Sequence, residues 1–116
     1  MNWYTAKIIY NISIDNGQYK TQFDEQLRLI EAQTASDAFL KAKLLGKQGE
    51  YVFTNEQDQL VQWKMIDVSE VVYVGSKLEH GLEVYTSTHE ESNADEYIDF
   101  VRQRARIIQT ENLIFA

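Results

Sequence analysis

Hydrophobic and polar residues alternate in two long stretches of the chain, and both stretches predict β-strands. Over residues 3–14, one side of an extended chain carries Tyr4, Ala6, Ile8, Tyr10, Ile12 and Ile14. Residues 60–74 form the longest apolar-rich run, and residues 60–68 within it also alternate. A two-residue period with β-branched and aromatic side chains is typical of strands. We therefore predict that residues 60–74 form a central strand, bent midway, which the other elements pair with or cover.

Turn signals and further apolar stretches predict the remaining strands. Residues 15–18, Asp-Asn-Gly-Gln, predict a hairpin turn because Asn and Gly adopt positive φ at low cost. A second strand should span about 19–32, and its irregular apolar pattern predicts a bulge near 23–26. Residues 51–54 predict a short strand, and the alternating residues 82–88 predict another.

Two segments have the capping residues and apolar spacing of helices. Thr34, with Asp37 three residues later, predicts a helix start, and Gly46 predicts its end. Its apolar stripe comprises Ala35, Ala38, Phe39, Ala42 and Leu45. Asn93 and Glu96 form the same capping pattern for a second helix to about residue 110. The stripe of that helix comprises Tyr97, Ile98, Val101, Ala105 and Ile108, and an apolar end follows at Leu113, Ile114 and Phe115.

Hairpins dominate this order of elements, which predicts the fold class. We expect an α+β fold in which an antiparallel sheet of four to five strands has two helices packed mainly on one face. A length of 116 residues fits a single domain, residues 1–116, and the 44% hydrophobic content supports a packed core.

Charge and cysteine content exclude several classes of function. The net charge of −7 argues against binding to nucleic acid or to an anionic membrane surface. The chain has no cysteine, so it has no disulfide, thiolate metal site or cysteine nucleophile. The first residues lack the pattern of a signal peptide, and no stretch is long and apolar enough to span a membrane. We therefore expect a cytoplasmic location.

Short motifs occur in a recognisable order over residues 1–88. They are Trp3-Tyr4-x-Ala6-Lys7, Leu27-Arg28-Leu29-Ile30-Glu31-Ala32, Asp37-Ala38 with Ala42, Val61-x-Trp63-Lys64, Asp67-Val68 and Gly81-x-Glu83-Val84-Tyr85. This ordered set resembles a small bacterial family known as domain of unknown function 4288. The resemblance implies a small α+β domain found in bacteria, and it implies no activity, cofactor or catalytic residue. Residues 93–116 lie beyond the region of resemblance.

Isolated titratable residues give little chemical signal. His80 and His89 lie near glutamates, but nine residues of extended chain would separate them by roughly 30 Å, so we favour two solvated histidines over a metal site. Glu31 and Asp67 lie within apolar strand patterns and are acid–base candidates, although structural ion pairs are the commoner outcome. The arginines of the second helix diverge around its axis, which favours a solvated face: Arg102, Arg104 and Arg106. We expect no cofactor and no metal.

Aromatic and apolar residues on the predicted strands give the candidate surface. Its members, expected to form an interaction or pocket surface, are Trp3, Lys7, Ile9, Trp63 and Tyr85. The first functional hypothesis is a non-enzymatic interaction or assembly module that self-associates, as a homodimer. The alternative is a small-molecule-binding protein or enzyme with a pocket between sheet and helices, by fold-level analogy with ferredoxin-like α+β barrels.

Overall fold

The computed structural model describes the backbone of residues 1–115 and the side chains of residues 1–111. The strands are β1 (Asn2–Ile14), β2 (Gln22–Ala32), β3 (Tyr51–Thr54) and β4 (Leu60–Gly75). The helices are α1 (Ala35–Gln48) and α2 (Ala94–Phe115), and a short 3₁₀ turn spans Asp15–Gly17. The chain divides into two compact units, Met1–Tyr85 and Thr86–Ala116.

The first unit is a four-stranded antiparallel sheet with the strand order β2-β1-β4-β3. Two hairpins, β1–β2 and β3–β4, are joined by α1, and the long strands β1 and β4 pair at the centre. With α2, this gives one antiparallel sheet and two helices, which confirms the predicted α+β class. The prediction that residues 60–74 form an internal strand is also confirmed, because β4 lies between β1 and β3.

The pairing of β1 with β4 shifts register three times. Ile8 faces Val68 while Lys7 faces Glu70, and a second shift separates the partners of Ile9 and Tyr10. Because extra residues in a strand bend it and break its alternation, the strict two-sided pattern predicted through residue 68 ends at Met65. By contrast, β1 and β2 pair without interruption. The bulge predicted in β2 near residues 23–26 was therefore wrong.

The core lies on one face of the sheet, under α1. On this face the even-numbered residues of β1 meet the small residues Ala38 and Ala42 of α1, and the buried cluster contains Tyr4, Ala6, Ile8, Tyr10, Ile30, Ala32, Met65 and Val68. The predicted cap is confirmed, since the Asp37 N–H donates a hydrogen bond of 3.1 Å to Thr34 Oγ1.

The predicted end of this helix at Gly46 was wrong, because α1 continues to Gln48 and Gly49 is its C-cap. A Cβ at position 46 would lie 2.5 Å from Met65 Sδ and 3.1 Å from Ile8 Cγ2. Gly46 is therefore needed inside the helix for close approach to the sheet.

Residues 82–88, predicted as a strand, have no regular secondary structure, so that prediction was wrong. Within the first unit, Leu82 lies beside Gly75, and Val84 lines a cleft with Thr5 and Leu27 on the sheet face away from α1. An extended segment that packs one side against a sheet keeps a two-residue pattern without joining the hydrogen-bond ladder. The same contacts explain why Thr5 is buried on that face.

The second unit contains α2, which is longer than the predicted helix to about residue 110. Its predicted cap is confirmed, because the Glu96 N–H donates a 3.1 Å hydrogen bond to Asn93 Oδ1. The side chains of the predicted apolar end, Leu113, Ile114 and Phe115, lie outside the described residues. Neither α1 nor the described part of α2 combines the length and the apolar character that a membrane-spanning helix needs.

Candidate functional site

Three of the five candidate surface residues lie together on the sheet face away from α1. Trp3, Lys7 and Ile9 all lie on the odd-numbered side of β1, and all three are half-buried. Lys7 Nζ lies 3.6 Å from Glu70 Oε2 on the neighbouring strand. This ion pair is partly exposed, so it contributes little to stability and does not form a charged pocket.

The other two candidates, Trp63 and Tyr85, are not part of that group. Trp63 lies on the opposite face, where its ring packs against Tyr10 at 5.8 Å between centroids and stacks on Tyr51 at 5.5 Å. Tyr85 is exposed in the irregular segment that follows β4. The structure thus divides the aromatic residues between the two faces, and Trp63 belongs with the residues packed against the core.

The outer edge of β2 is a surface that sequence reasoning missed. This strand has 11 residues and lies at one end of the sheet, and no other strand of the described chain pairs with its outer side. Its side chains on the face away from α1 include Phe23, Leu27 and Leu29, of which Phe23 is 62% and Leu29 50% exposed. The signal in the sequence is their odd-numbered spacing, whereas the adjacent apolar residues Leu29 and Ile30 make the pattern irregular and predict a bulge.

Two contacts show which backbone groups of β2 point outward. Lys41 Nζ donates a 2.7 Å hydrogen bond to the carbonyl oxygen of Glu31 from the helix side of the strand. The Met65 N–H donates to Glu50 Oε2 rather than to β1, so its partner Tyr10 directs its backbone groups toward β2. Since backbone groups alternate in direction along antiparallel strands, the odd-numbered residues of β2 direct theirs away from the sheet.

An open cleft of about 310 Å³ runs between this edge and α1. Leu29 and Ile30 line it from β2, and Leu44 and Leu45 line it from α1. Its polar groups are Glu31, Lys41 and Gln48. Leu44 is 65% exposed, so an apolar strip borders the free edge on its helix side as well.

Polar side chains form a ladder along β2 on the same side as α1. Gln26 Nε2 donates to Asp24 Oδ2 at 2.7 Å, and Arg28 Nη2 donates to Gln26 Oε1 at 2.8 Å. The ladder places one negative group two residues before Gln26 and one positive group two residues after it. Both charges lie close enough to Tyr10 to act on the pKa of its phenol. Burial is the main cause that raises this pKa above its ordinary value, Arg28 lowers it, and Glu50 and Asp24 raise it.

The isolated titratable residues are found in ordinary surface contacts. Asp67 Oδ1 lies 3.6 Å from Lys43 Nζ, and Glu31 is exposed. In the second unit, His89 Nε2 lies 3.2 Å from Glu91 Oε1 and packs edge-on against Tyr97. Among the described side chains, no group of three or more His, Asp or Glu residues could hold a metal ion.

The sequence model of one family, the Domain of unknown function (DUF4288), matches residues 3–86. The chain belongs to this family. The DUF4288 match includes nearly all of β1 and the whole of β2, α1, β3 and β4, so the free edge and its cleft lie within the family domain. No curated protein and no solved structure matches the chain.

Proposed function

We propose that this DUF4288 domain is a non-enzymatic interaction module that self-associates. The observation that carries the proposal is the free 11-residue edge of β2, bordered by exposed leucines on both sides. Unpaired strand edges readily add another strand, and monomeric proteins usually cover or charge them. The charges of β2 are of both signs, Asp24, Glu25, Arg28 and Glu31, so a partner strand with a complementary pattern can pair with them. Lys41 bonds the carbonyl of Glu31 near the end of the strand.

The proposal includes a homodimer in a reducing, bacterial cytoplasm. The absence of cysteine suits such a compartment, and the family resemblance suits a bacterial source. The net charge of −7 supports a protein partner over a nucleic acid.

Sedimentation velocity over a range of micromolar concentrations tests self-association. The variant Leu44→Glu places a charge in the exposed strip beside β2 and should shift the protein toward the monomer. Leu40→Glu is the matched control, because Leu40 is also exposed on α1 but lies outside the cleft. A wild-type protein that stays monomeric, or equal effects of the two variants, would contradict the proposal.

The alternative is a small-molecule-binding protein or enzyme that uses the cleft between β2 and α1. Its volume of about 310 Å³ is at the lower end of the range for ligand sites, and its lining is mostly apolar, with Glu31, Lys41 and Gln48 as its polar residues. A thermal-shift screen tests this function, since a ligand of the folded state raises the melting temperature. A hit whose shift is abolished by Leu44→Glu, in a monomeric wild-type protein, would favour this function over self-association.

A further inference from the structure

We propose that two copies of this domain associate by antiparallel pairing of their β2 strands about a two-fold axis at Gln26. The inference rests on the proposed self-association and names the surface and the register that produce it. The partner at the free edge is thus a second copy of this chain. The two four-stranded sheets become one continuous sheet across the axis.

The geometry of the edge restricts the registers that are available. In a two-fold antiparallel pair, the numbers of facing residues add to a constant. Facing residues also lie on the same face of the sheet, so their numbers are both odd or both even and their sum is even. The two-fold axis therefore passes between the two copies of one residue. The outward backbone groups belong to odd-numbered residues, which form the hydrogen-bonded pairs in every such register.

Charge favours one of these registers and disfavours two others. With the axis at Gln26, Asp24 of each copy faces Arg28 of the other, and this pair occurs twice. An axis at Arg28 would place two arginines opposite each other, and an axis at Glu25 would do the same with two glutamates. Like charges directly opposite destabilise a strand pair, whereas opposite charges stabilise it.

The remaining neighbouring register, with its axis at Leu27, conflicts with a bond that already exists. It would require the Glu31 carbonyl to accept a hydrogen bond from Phe23 of the second copy. That carbonyl accepts from Lys41 Nζ at 2.7 Å, and Asp24 would face the apolar Ile30. With the axis at Gln26, Glu31 instead faces Thr21, which precedes β2, so the lysine bond is retained.

On the other face, the outer positions of the same register are apolar. Phe23 of each copy faces Leu29 of the other, and both are at least half exposed in the single chain. Between them, Glu25 of each copy faces Leu27 of the other. An aromatic side chain opposite an aliphatic one is a favourable cross-strand pair. The axis at Gln26 therefore joins the polar ladders on one face and covers Phe23 and Leu29 on the other.

Disulfide trapping tests the pairing directly, because the chain has no cysteine of its own. Position 26 forms a non-hydrogen-bonded pair across the axis, with Cα atoms about 4.5 Å apart, which suits a disulfide. Gln26→Cys should therefore cross-link rapidly under mild oxidation. In Leu27→Cys the two Cα atoms would lie about 9 Å apart, too far for a disulfide. Gln57→Cys, exposed in the β3–β4 turn, gives the rate for random collision.

The outcomes separate this inference from the proposed function. Cross-linking of Gln26→Cys well above the rates of both controls supports the β2 pairing in this register. Faster cross-linking of Leu27→Cys overturns the register. A sedimenting dimer in which Gln26→Cys reacts no faster than Gln57→Cys overturns the β2 interface but leaves self-association standing. A monomeric wild-type protein overturns both.

Charge exchange provides a second test that needs no disulfide. Asp24→Arg and Arg28→Asp each replace two attractive pairs by two repulsive pairs, which should raise the dimer dissociation constant on the order of tenfold. The double variant Asp24→Arg/Arg28→Asp restores opposite charges and should recover most of the affinity. Single variants that dimerise like the wild type, or a double variant weaker than both, would contradict the proposed register.

Discussion

The phenolic hydroxyl of Tyr10 donates a hydrogen bond of 2.7 Å to the carbonyl oxygen of Gly46, which joins β1 to the last turns of α1. Tyr10 is 2% exposed, and the same carbonyl also accepts from the Gly49 N–H at 3.1 Å. Because the carbonyl keeps this second donor, Tyr10→Phe should cost only about 1 kcal/mol of unfolding free energy. Urea denaturation measures this loss. Tyr19→Phe, at an exposed tyrosine, is the control and should change the unfolding free energy little.

Burial of Tyr10 predicts a loss of stability in alkaline solution. Its pKa in the folded state is raised above the ordinary 10.0, mainly by burial, so the folded state favours the neutral phenol. The full stabilisation is present below pH 10 and is lost as the pH rises from there toward the folded-state pKa. The difference in unfolding free energy between the wild type and Tyr10→Phe should therefore be constant below pH 10 and shrink as the pH rises above 10. A constant difference between the two proteins would show that Tyr10 does not titrate in this way.

Gly49 is predicted to be required because it leaves room for the same hydroxyl. A Cβ at position 49 would collide with the Tyr10 oxygen. Gly49→Ala should therefore cost about 1–3 kcal/mol in the wild type and clearly less in the Tyr10→Phe background. A double-mutant cycle from urea denaturation measures this coupling. Gly75→Ala is the control, since its Cβ would meet its nearest neighbour at an ordinary 3.6 Å, and additive costs in the cycle would contradict the prediction.

The N-cap of α1 gives a local test of the helix. The Thr34 hydroxyl oxygen accepts the Asp37 N–H, so Thr34→Ala should lower the unfolding free energy by about 1 kcal/mol. Thr34→Ser keeps the accepting oxygen and should stay close to the wild type. Thermal or urea unfolding distinguishes the two variants, and equal losses would assign the effect to the missing methyl group instead.

Much of this fold could be predicted from local patterns in the sequence. Alternation identified β1 and β4, and the side chains of Thr34 and Asn93 identified the helix starts, because these signals act within a few residues. The ends of elements were less predictable where tertiary contacts decide them. Gly46 is a residue type that often ends a helix, but here it lies inside α1 and allows a close approach to Met65. Residues 82–85 alternate because they pack beside the sheet.

The free edge of β2 was the least predictable feature, for a topological reason. The sequence identifies β2 as a strand, but it does not show where the strand lies in the sheet. The strand order β2-β1-β4-β3 places β2 at one end, which leaves its outer side unpaired. The exposed side chains Phe23, Leu27 and Leu29 looked like an irregular core pattern in the sequence. Trp63 was grouped with Trp3, although the sheet places their rings on opposite faces. A pattern shows which residues share a face only while the register is regular, and the shifts in β4 interrupt it.

Sedimentation equilibrium of the wild-type protein at micromolar concentration measures self-association without any substitution. If the domain self-associates, its mass approaches twice the 13.5 kDa of one chain as the concentration rises. A mass that stays at 13.5 kDa throughout the micromolar range would contradict it.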